Sequence, residues 1–293
     1  MANADFTRIA TNIGALNALN SLRNVNNKLG MHQQRLATGK RINSAADDPA
    51  GLTIATKLNT RSEGLKQALS NIGDAKSLLS VAESGLSRIN DIMVQMRNKA
   101  EAAASDTLGQ DERDAVVTQL KEFAAQIDDI VEQTEWNDTK LIDGSFNSTA
   151  LTFQTGADKG DTTTLNGLQD MKASSGLNIG SSASITSSSV SGGLTSASSA
   201  ADFASYMDDI STAMDTVSSQ LSKVGSLSAR LTFKEDQIAV AQVNVEASYN
   251  RIMNADMAFE QLEATKYSIL QQTSTTMLAQ ANQAPQGVLS LFR

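Results

Sequence analysis

His32 is the only imidazole in the chain. A lone histidine excludes the two-histidine helical zinc motif and any cluster of imidazole ligands. No carboxylate stands near it in the sequence to form a dyad, so it reads as a helix-surface residue. The adjacent acids Asp128-Asp129 and Asp208-Asp209 fall in helical segments. Neighbouring side chains on a helix diverge by ~100°, so both pairs read as solvated faces and not as paired carboxylates. Asp47-Asp48 precedes Pro49 and reads as helix-capping chemistry, because a capping acid followed by proline at the first helical position is a helix start. Gly192-Gly193 lies in a serine tract with no following lysine, unlike a phosphate-binding loop. Asn137-Asp-Thr139 and Asn147-Ser-Thr149 match a glycosylation triplet that is frequent by chance. There is no cysteine, hence no disulfide framework and no thiolate metal site. The residues therefore predict no catalytic centre, no metal and no cofactor; the chain is not expected to be an enzyme.

What the elements are built for is clearer. A hydrophobic residue recurs every seven positions through Phe203, Ile210, Val217, Val224, Leu231, Ile238, Val245, Ile252 and Phe259. A second ladder runs through Leu58, Leu65, Ile72, Leu79, Leu86 and Met93. Such seams belong to long helices packed along other helices. As one helix, the first ladder would span roughly 85 Å at ~1.5 Å per residue. Length of that kind points to assembly before it points to chemistry. The predicted core of the rod is Leu58, Leu65, Ile72, Leu79, Leu86 and Met93 with Leu231, Ile238, Val245, Ile252 and Phe259.

Three further helices follow from the same period. Ala4 to Leu36 carries Phe6, Ile9, Ile13, Leu16, Leu19, Leu22, Val25 and Leu29 at spacings of three and four, an amphipathic pattern. Its many asparagines are poor helix formers, so it needs a partner. About Asp111 to Gln133 places Val116, Leu120, Phe123, Ile127 and Val131 on one face. A last helix is predicted from about Met257 to Ala284, ended by Pro285. Between these lie a β-hairpin over Leu151–Thr155 and Thr162–Leu165 and a segment from Ser174 to Ala200 in which twelve of twenty-seven residues are serine. That segment has little apolar surface to bury and reads as an exposed or disordered lobe. The expected fold is mainly α: a long antiparallel helical rod or coiled-coil bundle with paired N- and C-terminal helices, a small β-hairpin region and a short exposed Ser-rich segment. The expected divisions are 1–43, 44–145, 146–200, 201–256 and 257–293.

Composition narrows the partners. The formal charge is −8, which disfavours nucleic acid, since binding there needs clustered cations. No stretch approaches the ~20 apolar residues of a membrane span. The first thirty residues lack a compact apolar run with a cleavage site, so no cleavable secretory signal is expected. Absence of cysteine fits an exported chain.

The two ends carry a resemblance. Residues 33–58, QQRLATGKRINSAADDPAGLTIATKL, resemble the N-terminal signature of bacterial flagellins, and residues 270–293, LQQTSTTMLAQANQAPQGVLSLFR, resemble the flagellin C-terminus. Gln133-Thr-Glu-Trp-Asn137, followed by Leu141-Ile-Asp-Gly144, looks like the family's turn into its hairpin. The likeness covers about 1–165 and 200–293. It implies a structural subunit that polymerises into the flagellar filament for swimming motility, secreted through the flagellar type III export channel to an extracellular filament. It implies paired terminal helices that line a central channel, with assembly residues Ile9, Ile13, Leu16, Leu22, Leu29, Leu262, Leu270, Met277, Leu278, Val288, Leu289, Leu291 and Phe292. The implied partners are other copies of the chain, an export chaperone, the export apparatus, and distal cap and junction proteins. An innate receptor of the Toll-like family recognises many flagellins through an arginine, a leucine and a glutamate. The matching positions here are Gln95, Lys99 and Gln119, with only the intervening Arg97 retained, so weak recognition is expected. The nearest alternative is the hook–filament junction protein, whose terminal helices are similar. A protease-bearing flagellin would need a larger middle segment with a histidine. An intracellular coiled-coil scaffold would leave the apolar tail Val288–Phe292 without a use.

Overall fold

The computed structural model describes residues 12–147, 150–177, 179 and 199–290. Five helices dominate: α1 (Ile13–Thr38), α2 (Pro49–Ala103), α3 (Gln110–Gln133), α4 (Ala200–Met253) and α5 (Met257–Ser290). Two small antiparallel pairs join them among the described residues, β1 (Glu135–Trp136) with β2 (Thr139–Lys140), and β3 (Leu151–Gln154) with β4 (Thr162–Leu165). The mainly α architecture and the predicted hairpin are both present. Ile9 and residues 180–198 of the serine-rich tract lie outside the described residues.

The chain divides into two compact units, Glu63–Val243 and a second made from both ends, Met1–Ser62 with Asn244–Arg293. In Glu63–Val243 the ladder residues Leu65, Ile72, Leu79, Leu86 and Met93 are buried, each followed by a buried Ala68, Ala75, Ala82, Ile89 or Met96. Buried apolar residues at three-four spacing are what a packed helical seam requires. From α4, Phe203, Ile210, Val217, Val224, Leu231 and Ile238 are buried. Lys76 Nζ of α2 reaches Glu235 of α4 at 2.8 Å.

Helix α3 corrects the sequence reading by one position. Its buried stripe is Val117, Leu120, Ala124, Ile127 and Val131, while Val116 and Phe123 are only half-buried. The true stripe spaces by three and four throughout; counting large residues alone missed Ala124. The Asp128 carboxylate, read as solvated, accepts the Ala173 N–H at 2.7 Å. The first part of the serine tract is likewise not an exposed lobe, because Leu177 and Ile179 are buried and the Tyr206 hydroxyl donates to the Ile179 carbonyl at 2.7 Å. Burial pushes the Tyr206 phenol up, with Asp209 adding to it.

Turn chemistry follows residue type. Asn137 and Asp138 adopt φ of 49° and 60° between β1 and β2. Two left-handed central residues give the turn twist that a two-residue hairpin needs. Asp48 caps α2, its Oδ1 accepting the Gly51 N–H at 2.8 Å, as Asp48-Pro49 led one to expect. The Asp47 carboxylate accepts the Asn43 and Ser44 amides. The Ser44 and Asn43 backbone bonds hold its acid below the ordinary range.

Helix α4 stops at Met253, and Asp256 opens α5 at Met257, where the last helix was expected to begin, by accepting the Ala258 and Phe259 amides. One boundary differs from expectation. Pro285 does not end α5, which continues to Ser290. Proline removes one donor and crowds one carbonyl, and the helix continues past it.

Candidate assembly surface

The unit made from both chain ends is the candidate functional surface. Its base is a small core of Ile42, Ala55 and Met253, with Leu52, Tyr249 and Ile252 packed on it. Backbone bonds tie its connections together: Arg41 N–H to the Met253 carbonyl (2.6 Å) and Ala255 N–H to the Gly39 carbonyl (3.0 Å). Gly39 closes α1 in the left-handed conformation (φ 68°), its N–H bonded to the Arg35 carbonyl, a backbone state that glycine adopts without strain.

Helices α1 and α5 lie along each other. Asn12 Nδ2 donates to the Ala281 carbonyl (2.7 Å), Gln271 Nε2 to Asn26 Oδ1 (2.9 Å), and His32 Nδ1 to Glu260 Oε2 (2.5 Å). Rising numbers on α1 meet falling numbers on α5, so the pair is antiparallel. The least exposed stripe of α5 is Glu260, Ala264, Tyr267, Gln271, Ser274, Leu278 and Ala281. Its spacing alternates four and three, the signature of a seam, but among the described residues Leu278 is its only large aliphatic residue. The facing residues of α1 are the half-buried Leu19, Leu22 and Val25 and the buried Leu29 and His32.

His32 is thus corrected from surface to interior. It is 6% exposed, and Glu260 is 4% exposed. Arg35 Nη1 reaches the other carboxylate oxygen at 3.3 Å, and the Tyr267 ring stacks on the imidazole with centroids 5.3 Å apart. The acid partner lies 228 positions away, which is why no local signal showed it.

The large apolar side chains of α5 point elsewhere. Leu262 is 61% exposed and Met277 62%. Phe259, Ile269 and Leu270 are exposed as well, and so are Ile13 and Leu16 on α1. At ~100° per residue, Phe259, Leu262, Ile269, Leu270 and Met277 share one flank of α5, turned roughly 115° from the seam. Phe259 is therefore not core in the single chain: it is 57% exposed, because the Ala255-Asp256 break restarts the helical phase. The other ladder ends, Leu58, Val245 and Ile252, are half-buried. Val288 and Leu289 fall in the last turns of α5, and Leu291 and Phe292 lie outside the described residues. Gln95, Arg97 and Lys99 on α2 and Gln119 on α3 are all exposed. Sequence reasoning missed the α5 seam; a three-four stripe of small and polar residues restarting at Glu260 was the available signal.

Among the described residues no group of three or more metal-ligating side chains comes together, and no helix is long and apolar enough to cross a membrane. An open apolar flank on a paired-helix scaffold suits association with another protein surface.

Comparisons agree on both ends of the chain. The family model for the bacterial flagellin N-terminal helical region matches residues 9–147, and that for the C-terminal helical region matches residues 207–292. The chain is 33% identical to a flagellin of Listeria innocua over 286 residues, covering 97% of this chain and 99% of that one. It is 34% identical to a flagellin of Bacillus subtilis over 305 residues, covering 98% and 100%. A solved chain described as a flagellar hook-associated protein from Vibrio parahaemolyticus shares the fold, with a TM-score of 0.58 at 18% identity, over 71% of this chain and all of that one.

Proposed function

Because the chain belongs to the bacterial flagellins and is a structural subunit of the flagellar filament, we propose that its exposed α1–α5 flank is the surface on which successive copies assemble. The observation that carries this reading is the placement of Leu262, Ile269 and Met277. These are large apolar residues left in water by a helix whose own seam, among the described residues, holds one large aliphatic side chain, Leu278. Burying one such side chain contributes about 1.5–3 kcal/mol, so a repeated contact through several of them suffices to build a polymer. A contact between unlike surfaces that never closes makes a helical filament.

The finer divisions follow from the same reading. Residues 1–43 and 257–293 form the inner, channel-lining layer, 44–145 and 201–256 the rod, and 146–200 the hairpin and outer segment. The chain acts without catalysis. It travels to an extracellular filament with the help of an export chaperone and the export apparatus, and meets distal cap and junction proteins there. The junction-protein alternative is not favoured, since flagellins match this chain over nearly its whole length. Gln95, Lys99 and Gln119 make innate-receptor recognition weak.

The test separates assembly from folding. Leu262→Asp and Met277→Asp place charges where the single chain has water, so the soluble chain should keep its helical signal and melting temperature. Sedimentation and electron microscopy should show that neither variant polymerises. Filaments of ordinary length and yield from either variant would overturn the assignment.

A further inference from the structure

We propose that the buried His32–Glu260–Arg35 cluster is the register pin of the α1–α5 pair, selecting one axial alignment of two helices whose packing alone distinguishes alignments poorly. The pin lies within one chain and stands independently of the assembly reading. The starting observation is the seam itself. Leu278 is the only large aliphatic residue in the α5 stripe Glu260, Ala264, Tyr267, Gln271, Ser274, Leu278, Ala281. Ala264, Ser274 and Ala281 make shallow knobs, and shallow knobs resist sliding weakly. The aliphatic residues of α1 repeat closely enough that a seven-residue slip brings Leu22 to the place of Leu29.

The slip does not spare Glu260. It brings Val25 to the place of His32, opposite a carboxylate that is 4% exposed. That carboxylate would lose both the His32 contact at 2.5 Å and the Arg35 contact at 3.3 Å while still buried. A buried charge without a partner is the costliest arrangement open to it. A slip in the opposite sense carries Glu260 to Gly39, where α1 has already ended. The Tyr267 ring reinforces the native alignment: it stacks on His32, and Lys28 and Lys266 lie over it at 5.7 and 5.5 Å. Buried polar groups commonly act this way in paired helices, giving up some stability for a unique register. Here the register has a consequence, since it decides how the exposed Ile13 and Leu16 of α1 line up with Met277 and Leu262 of α5.

The chain has no cysteine, so engineered pairs can be read without background. Asn26→Cys with Gln271→Cys marks the native register, because those side chains already bond at 2.9 Å. Asn26→Cys with Ala264→Cys marks the slipped register, since those positions are otherwise about 10 Å apart along the axis, beyond disulfide reach. Each pair is oxidised in the dilute full-length chain and resolved on non-reducing gels. It is placed in three backgrounds: unaltered, His32→Leu/Arg35→Leu/Glu260→Leu, and Glu260→Ala. The unaltered background should favour the native pair by about tenfold or more. In the other two backgrounds the slipped pair should form at a yield approaching that of the native one, with helical signal retained. Retention of native-only cross-linking in both altered backgrounds overturns the proposal. So does loss of helicity in both, because the cluster would then hold the helices together and not align them.

Discussion

Two glycines on one helix should respond to the same substitution with opposite signs. Gly73 and Gly85 both lie inside α2. Alanine at an unhindered interior helical position stabilises by roughly 0.5–1 kcal/mol, because glycine loses more backbone freedom on folding. A Cβ at Gly73 would meet nothing within 4 Å, so Gly73→Ala should show that full gain. A Cβ at Gly85 would lie 2.5 Å from Thr134 Oγ1, 2.9 Å from its Cγ2 and 3.3 Å from its Cβ. Thr134 is buried and closes α3, its hydroxyl donating to the Ile130 carbonyl at 2.7 Å. It cannot turn away without giving up that bond, worth about 0.5–1.5 kcal/mol, and overpacking a tight contact costs about 1–3 kcal/mol. The helical gain offsets part of this, leaving Gly85→Ala destabilising by about 1–2 kcal/mol. The two variants should thus differ by roughly 2–3 kcal/mol, or several degrees in melting temperature for a unit of this size. Thermal and urea unfolding followed by circular dichroism measure it. Adding Thr134→Ala removes the two nearest atoms and should rescue Gly85→Ala beyond additivity. If Gly85→Ala stabilises as much as Gly73→Ala, then α2 and α3 do not meet at Thr134 and the reasoning fails.

Ile238→Asp should destabilise Glu63–Val243 by about 3–5 kcal/mol, because it buries an unpaired charge in a stripe that excludes water; an unchanged melting temperature would place Ile238 outside the core. Asp209 sits half-buried beside Asp208, and burial first, then that neighbouring charge, raises its acid above 3.8. The folded state therefore holds this proton more tightly than the unfolded state, so the carboxylate is a liability at neutral pH that disappears as pH falls through the folded-state value. Asp209→Asn should raise the melting temperature at pH 7 and lose that advantage in acid; an equal shift at both pH values would rule out titration as the cause. In a reporter-cell assay for the innate receptor, this chain should be much less potent than a strong flagellin agonist, and equal potency would show that Gln95, Lys99 and Gln119 do not define the patch.

The sequence alone determined which residues share a helical face. The ladder from Leu65 to Met93 and the run from Phe203 to Ile238 became buried seams because periodicity is local: 3.6 residues per turn places every seventh side chain on one side whatever lies opposite. The hairpin strands, the Asp48 cap and the resemblance of both termini to one family were legible for the same local reason. Whether a face is covered is a different matter, decided by segments distant in the chain. Phe259 continues the ladder in sequence yet is exposed, because Asp256 restarts the helix and turns that flank outward. Ala124, too small to draw notice, is core because α3 is close-packed there. His32 looked like a surface residue until the fold brought Glu260, Arg35 and Tyr267 around it. Two helices from opposite ends of the chain had to meet before that imidazole had an environment, and no spacing within either helix carries that information.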